Sequence, residues 1–259
     1  GESKYYVAVK DGKEAIFDVD GKRISGWFNS IYTSGLVIGV SNFYIVSRGR
    51  KEAIFNERGI QVSEWFDRIY ADGLVKGESK YYIVEKDRKK AIYDIDGNQI
   101  TQWFDNIYLE GLVKGKSNFY IAVKDEKVAI FDVSGNRISE WFNEIYAHGL
   151  VRGESKYYIA SKNGKEAIFD VNGSRITEWL DDIQPYGLVN GESEYFIACN
   201  KNCAVYHKDG KKVSKDFSRY YIIDINKMTF KENFGIVEMQ KDNRKVKTIE
   251  FQPVLDTNN

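Results

Sequence analysis

The sequence predicts an all-β protein, a β-propeller built of 38-residue, four-stranded blades, six or seven in number. Three observations predict it. Trp27, Trp65, Trp103, Trp141 and Trp179 recur every 38 residues. Gly35, Gly73, Gly111, Gly149 and Gly187 recur with them, each followed by Leu-Val. Between these landmarks the chain reads as short apolar runs separated by glycine-containing turns. A fixed period of roughly 20–50 residues marks a solenoid, a propeller or an array, because each unit buries its face only against its neighbours. A closed ring removes costly end faces and strand edges; an open solenoid of β-hairpins is the alternative arrangement.

The whole chain, 1–259, reads as a single repeat domain. Units span 1–38, 39–76, 77–114, 115–152 and 153–190, followed by a degenerate unit at 191–228 and a partial one at 229–259. Each opens Gly-x-Ser, as at Ser3, Ser41, Ser79, Ser117, Ser155 and Ser193. Two adjacent aromatics and an aliphatic pair follow, such as Tyr81-Tyr82-Ile83-Val84. No polar face remains in such a run, which predicts a first strand covered on both sides. Dipeptides such as Asp11-Gly12 and Asn163-Gly164 then predict a two-residue hairpin turn, since their residues tolerate positive φ.

The second strand is Ala-Ile-Phe-Asp, at Ala15, Ala53, Ala91, Ala129 and Ala167. It ends in another glycine turn, as at Asp20-Gly21 and Asp96-Gly97. The Trp-Phe-x-x-Ile-Tyr stretch follows. Its spacing also suits one face of a short helix, but it is too short to be a helix on its own, so a third strand is predicted. Gly-Leu-Val is read as a short fourth. In the sixth unit Asp216 stands where the others have tryptophan. Phe234–Glu238 and Lys247–Phe251 repeat the first two strands in the seventh.

Composition narrows the function classes. Lys plus Arg equals Asp plus Glu at 38 each, and a neutral chain lacks the basic face of a general phosphate-backbone binder, so no nucleic acid is expected. No apolar run reaches the roughly 18 residues of a membrane span. The chain opens Gly1-Glu2-Ser3, which reads as a processed end, and a targeting segment ahead of it stays open. A monomer in the cytoplasm is the favoured setting unless such a segment was removed.

The order Lys-x-Ala-Ile-Phe/Tyr-Asp-x-Asp-Gly, then Trp-Phe-Asp-x-Ile, then Gly-Leu-Val is best seen in Lys90–Gly97, Trp103–Ile107 and Gly111–Val113. It distantly resembles the bacterial WG-repeat family over about residues 1–226, with x-Ala here in place of that family's Trp-Gly pair. The resemblance implies an all-β repeat scaffold with binding roles and no catalytic residues.

Candidate site residues divide the same way. The tryptophans suit ligand-stacking platforms, but an aromatic at one offset in every unit is also what packing between units demands, and core plugs are expected. The Gly-x-Ser hydroxyls are read as turn caps. Asp18-x-Asp20 and Asp94-x-Asp96 have the look of calcium loops, yet Arg58 occupies that slot in the second unit and the distal carboxylate is missing. No metal and no cofactor are expected. Cys199 and Cys203 face each other across a hairpin, so a disulfide is geometrically open to them; two reduced thiols are the cytosolic alternative. His148 and His207 lie in different units and form no evident catalytic pair.

Variation against the repeat is more informative. The tip before Gly-Leu-Val carries Asp72, Glu110, His148 or Tyr186, and the residue after it is Lys76, Lys114 or Arg152. Variable loops on a rigid frame are where recognition resides, and the three basic residues would form an arc. The expectation is a non-enzymatic binding or scaffold protein with a protein partner. A lectin-like carbohydrate binder with one site per blade is the alternative, and a hydrolase or lyase with an axial site a remoter one.

Overall fold

A computed structural model describes residues 4–216 in full and, beyond them, the backbone of strands at 228–229, 236–241 and 244–250. The tail beyond residue 250 lies outside the described residues. The fold is all-β, a succession of small antiparallel sheets. The chain forms two compact units, residues 1–125 with 131–136 and residues 126–130 with 137–259.

The first unit contains β1 (Tyr5–Lys10), β2 (Lys13–Asp18), β3 (Ser30–Tyr32), a helical turn α1 (Ser34–Val37), β4 (Phe43–Arg48), β5 (Lys51–Asn56), β6 (Arg68–Tyr70), α2 (Asp72–Val75), β7 (Tyr81–Lys86), β8 (Lys89–Asp94), β9 (Asn106–Ile107), a 3-10 turn (Gly111–Lys114) and β10 (Phe119–Lys124). The boundary between the units runs through β11 (Lys127–Asp132). The second unit continues with β12 (Glu144–Tyr146), α3 (His148–Arg152), β13 (Tyr157–Lys162), β14 (Lys165–Asp170), β15 (Asp182–Ile183), β16 (Tyr195–Cys199), β17 (Cys203–His207), β18 (Met228–Thr229), β19 (Ile236–Lys241) and β20 (Arg244–Glu250).

The first two strands of each repeat form the expected hairpin. In β4–β5 the register runs from Phe43 opposite Asn56 to Arg48 opposite Lys51. Asp11 and Gly12 sit at φ 51° and 69°, as the turn requires. Asp87 and Arg88 make the same turn at 53° and 63° without a glycine. Tyr82, Ile83 and Val84 are all buried, so β7 is covered on both faces, as its unbroken apolar run predicts. The degenerate sixth repeat and the partial seventh also supply hairpins, β16–β17 and β19–β20.

Four-stranded blades were expected, and the sheets correct this in two ways. The Trp-Phe stretch begins along its own second strand, through bridges such as Glu52 to Phe66. It then leaves and pairs with the first strand of the next repeat. Thus β6 joins β7, with Arg68 opposite Glu85, Ile69 opposite Val84 and Tyr70 opposite Ile83. The sheets β3–β4–β5, β6–β7–β8, β12–β13–β14 and β15–β16–β17 are therefore three-stranded, with a strand lent by the preceding repeat. Gly-Leu-Val is not a fourth strand but a helical turn, closed by bonds such as Val75 N–H to the Ala71 carbonyl at 2.8 Å. The physical reason is close stacking: a Cβ on Gly35 or Gly73 would overlap the carbonyl oxygen of Val75 or Val113 in the turn one repeat on. Leu74 and Val75 are both buried by this turn.

The seams differ in detail from expectation as well. The tryptophans are half-buried, and the plug is the residue after each: Phe28, Phe66, Phe104, Phe142 and Leu180 are buried. Phe28 packs on Phe55 at 5.4 Å and Phe66 on Tyr93 at 5.3 Å, each reaching the next repeat. Trp65 closes the edge of that seam, 6.4 Å from both Phe28 and Phe55. The Gly-x-Ser hydroxyls cap turns, accepting from the N–H two residues on, and also clasp repeats together. Ser41 Oγ donates to the Leu74 carbonyl and Ser79 Oγ to the Leu112 carbonyl, both at 2.9 Å.

A second hydroxyl in every repeat was not anticipated. Ser25, Ser63, Thr101, Ser139 and Thr177 are buried. Ser63 Oγ accepts from the Ile54 N–H at 2.8 Å, and Thr101 Oγ1 from the Ile92 N–H at 3.0 Å. Each satisfies a second-strand donor where the third segment bends away. The Ser63→Ala variant, which strands that N–H, should lose about 1–3 kcal/mol in urea unfolding. Ser63→Thr should be nearly neutral, because Thr101 and Thr177 already fill the slot.

The second aromatic of each first strand supplies a pH handle. Tyr44, Tyr82 and Tyr158 are fully buried and their hydroxyls have no hydrogen-bond partner. Burial pushes Tyr44 up from 10.0 to about 12 and raises the other two as well. The folded state therefore holds these protons more tightly than the unfolded chain, and stability falls as pH rises through the unfolded value. An absorbance titration should show exposed tyrosines ionising first and the core set ionising with unfolding above pH 10.0.

Candidate binding site on the tip face

The end of each third strand and the helical turn after it form the tip of a repeat. In the first unit three successive tips line a hollow of about 540 Å³. Its walls are aromatic and aliphatic: Tyr32, Ile45, Ile69, Tyr70, Leu109 and Val113. Tyr32 ends β3 and Tyr70 ends β6, so the repeat itself places one tyrosine at each tip. Tyr32 remains 48% exposed and Tyr108 41%, whereas Tyr44, Tyr82, Tyr120 and Tyr158 of the first strands are sealed. Tyr70 is held firmly. Its hydroxyl donates to Glu85 at 3.0 Å, and Arg68 and Lys90 lie 5.1 and 4.8 Å from the ring centre. Burial, then the bond to Glu85, raises its pKa.

Asp72, Arg68, Glu52 and Lys114 add charge to this lining. Most of it is already engaged. Asp72 pairs with Lys76 at 2.9 Å and Glu110 with Lys114 at 3.2 Å, each pair spanning one helical turn. The bond to Asp72 raises the Lys76 pKa. Glu52 Oε2 accepts from the Ile69 N–H at 2.7 Å, and Glu14 and Glu166 do the same for Ile31 and Ile183. The third repeat has lysine in that position, and Lys90 instead donates to Asn106, whose side chain accepts from Ile107 N–H.

The sequence-derived candidates thus fall into two groups. Asp72, Lys76, Glu110 and Lys114 belong to the tips around the first unit's hollow, with the lysines of the basic arc salt-bridged to the acids of their own tips. His148, Arg152 and Tyr186 belong to the second unit. There His148 packs 6.5 Å from Tyr146, whose pKa is raised chiefly by burial, with Tyr186 adding to the rise and Arg152 opposing it. The tip tyrosines themselves were missed as site residues, although Tyr32, Tyr70, Tyr108 and Tyr146 recur at one offset; the signal is a repeated aromatic that the seam does not consume.

Other candidates resolve locally. Cys199 and Cys203 are register partners in β16–β17 and form a disulfide. Asp18 Oδ1 accepts from the N–H groups of Asp20 and Lys22, and Asp94 from Asp96 and Asn98, so these are hairpin turns. Among the described residues no group of three or more His, Cys, Asp or Glu could hold a metal ion. His207 has partners that the sequence did not reveal, Asp209 at 3.1 Å and Glu194 at 3.8 Å. No helix among the described residues is long and apolar enough to cross a membrane.

No family model and no curated protein matches the chain. Solved structures do resemble it, and they are β-propellers. One described as the eukaryotic initiation factor has a TM-score of 0.39 and 8% identity, covering 96% of this chain and 84% of its own. BamB from Moraxella catarrhalis has a TM-score of 0.32 and 13% identity, covering 96% and 80%. Kluyveromyces lactis Hsv2 has a TM-score of 0.32 and 13% identity, covering 73% and 63%. The likeness stays at the level of class and bears on no site.

Proposed function

We propose that this protein is a non-enzymatic binding scaffold whose tip face receives a segment of a protein partner, in keeping with its distant WG-repeat resemblance. The observation that carries the reading is the hollow among three successive tips, walled by Tyr32 and Tyr70 with Ile45, Ile69 and Leu109. Rigid, part-exposed tyrosines around an apolar floor are the usual anchors of a protein interface. The salt-bridged rim supports the same reading: with Asp72 and Lys114 each internally paired, the hollow offers packing and hydrogen bonds rather than one strong charge. The carbohydrate alternative needs an open indole face in each repeat. Trp65 and Trp179 are each contacted by two phenyl rings and an arginine.

Selection of a displayed random peptide library on the immobilised protein, alongside a glycan array, tests this. Peptide ligands are expected, and Tyr32→Ala with Tyr70→Ala should weaken them by about 30-fold or more while the circular dichroism spectrum is unchanged. Glycan ligands without peptide ligands, or peptides indifferent to both tyrosines, would overturn the proposal.

A further inference from the structure

The fourth tip, in the second unit, departs from the second in two places at once. In the second and third repeats the basic residue of the tip is neutralised one helical turn back, Lys76 by Asp72 at 2.9 Å and Lys114 by Glu110 at 3.2 Å. In the fourth repeat His148 stands where Asp72 and Glu110 stand. Arg152 is exposed and forms no salt bridge among the described residues. The tyrosine of this tip has lost its acid as well. In the second tip Glu85, opposite Arg68, holds the Tyr70 hydroxyl at 3.0 Å. At that register position the fourth tip has Ser161, opposite Glu144. Tyr146 is 42% exposed, and its hydroxyl has no hydrogen-bond partner among the described residues.

These groups converge. The His148 ring lies 6.5 Å from that of Tyr146. Burial chiefly, then Tyr186 and Glu192, raise the Tyr146 pKa, and Arg152 lowers it, so all three side chains act at one hydroxyl. Tyr186 and Glu192 come from the next tip, which packs closely: a Cβ on Gly149 would overlap the Val189 carbonyl oxygen. Glu192 is the one carboxylate acting on that hydroxyl, and its Oε2 already accepts from the Gly187 N–H at 2.9 Å. The fourth tip thus holds a guanidinium and a phenol as donors without internal acceptors. Such donors bind oxyanions by charge-assisted hydrogen bonds, and a guanidinium with no salt bridge has none to break first.

We propose that the fourth tip is a second binding site, which takes an oxyanionic side chain of a protein partner, a carboxylate or a phosphorylated residue, through Arg152 with the Tyr146 hydroxyl and the His148 ring. The site lies within the second unit and does not depend on the hollow of the first. It supplies what the hollow lacks. There Asp72 and Lys114 are internally paired and recognition rests on packing; here an unpaired cation selects for charge. The chain's neutral balance does not oppose this, since one group is bound and not a phosphate backbone.

The chain has two histidines, His148 and His207, so ring-proton magnetic resonance signals report the site and a control together. Acetylated, amidated peptides Gly-Ser-X-Ser-Gly, with glutamate, phosphoserine or glutamine at X, are titrated into the whole protein. Saturable shifts of the His148 ring with the glutamate or the phosphoserine peptide, and none with the glutamine peptide, are expected. Whichever anion binds more tightly identifies the partner's group. His207, already 3.1 Å from Asp209, should not move. Arg152→Ala should weaken binding about tenfold or more. His148→Asp gives this tip the acid that the second repeat carries, pairs Arg152 internally and should weaken binding as much, read from the backbone amide signals of residues 146–153. No shift with either anionic peptide, equal shifts with all three peptides, equal movement of His207, or full binding by either variant would overturn the proposal. A hollow that selects no peptide would leave these outcomes untouched, so the two sites stand or fall separately.

Discussion

Each repeat lends its third strand to the repeat that follows, and the rest of the structure depends on that exchange. A hairpin alone leaves a bare edge and an uncovered face, and is marginal in water. Here the chain runs beside its own second strand as far as Phe66, then crosses at Asp67 to build the edge of the next sheet. Backbone hydrogen bonding and apolar burial are thereby both shared between neighbours. Cooperativity between repeats follows from covalent continuity, not only from side-chain contact.

The crossing creates specific needs that specific residues meet. Where the third segment bends away, a second-strand N–H would be buried without a partner, and Ser63 or its equivalent accepts from it. Where the new strand starts, an isoleucine N–H needs an acceptor, and Glu52 provides it at 2.7 Å. Unsatisfied buried groups of this kind cost more than the bonds return. The third repeat shows the requirement is chemical, since Lys90 and Asn106 together meet it without the glutamate. Glycine at the head of the turns at Gly35, Gly73 and Gly149 has a similar logic, because each approaches the backbone of the turn one repeat on.

The tip face is a consequence of the same geometry. A tyrosine follows the strand's isoleucine at Tyr32, Tyr70, Tyr108 and Tyr146, and Gln184 takes that place in the fifth repeat, so aromatic side chains recur at the tips. Variable neighbours then individualise each tip: Asp72 with Lys76 in one, Glu110 with Lys114 in the next. A rigid repeated frame thus carries an irregular rim, the arrangement in which loops acquire recognition roles.

The period, the hairpins and the doubly covered first strand were legible in the residues, because they depend on local turn chemistry and on apolar patterning within about ten positions. The candidate tips were legible for the same reason, as departures from a repeat. What the residues could not show was partnership across 38 positions. Gly-Leu-Val suits a short strand by composition, and only the stacking of Gly73 on Val113 makes it a turn. Trp-Phe offers two plausible plugs, and only packing decides that Phe66 enters the seam while Trp65 stays at its edge. Ser63 looks like any surface serine until the bend buries it beside Ile54. Local propensity sets which segments can be strands; which sheet a strand joins is settled by the neighbour whose edge and face it must cover.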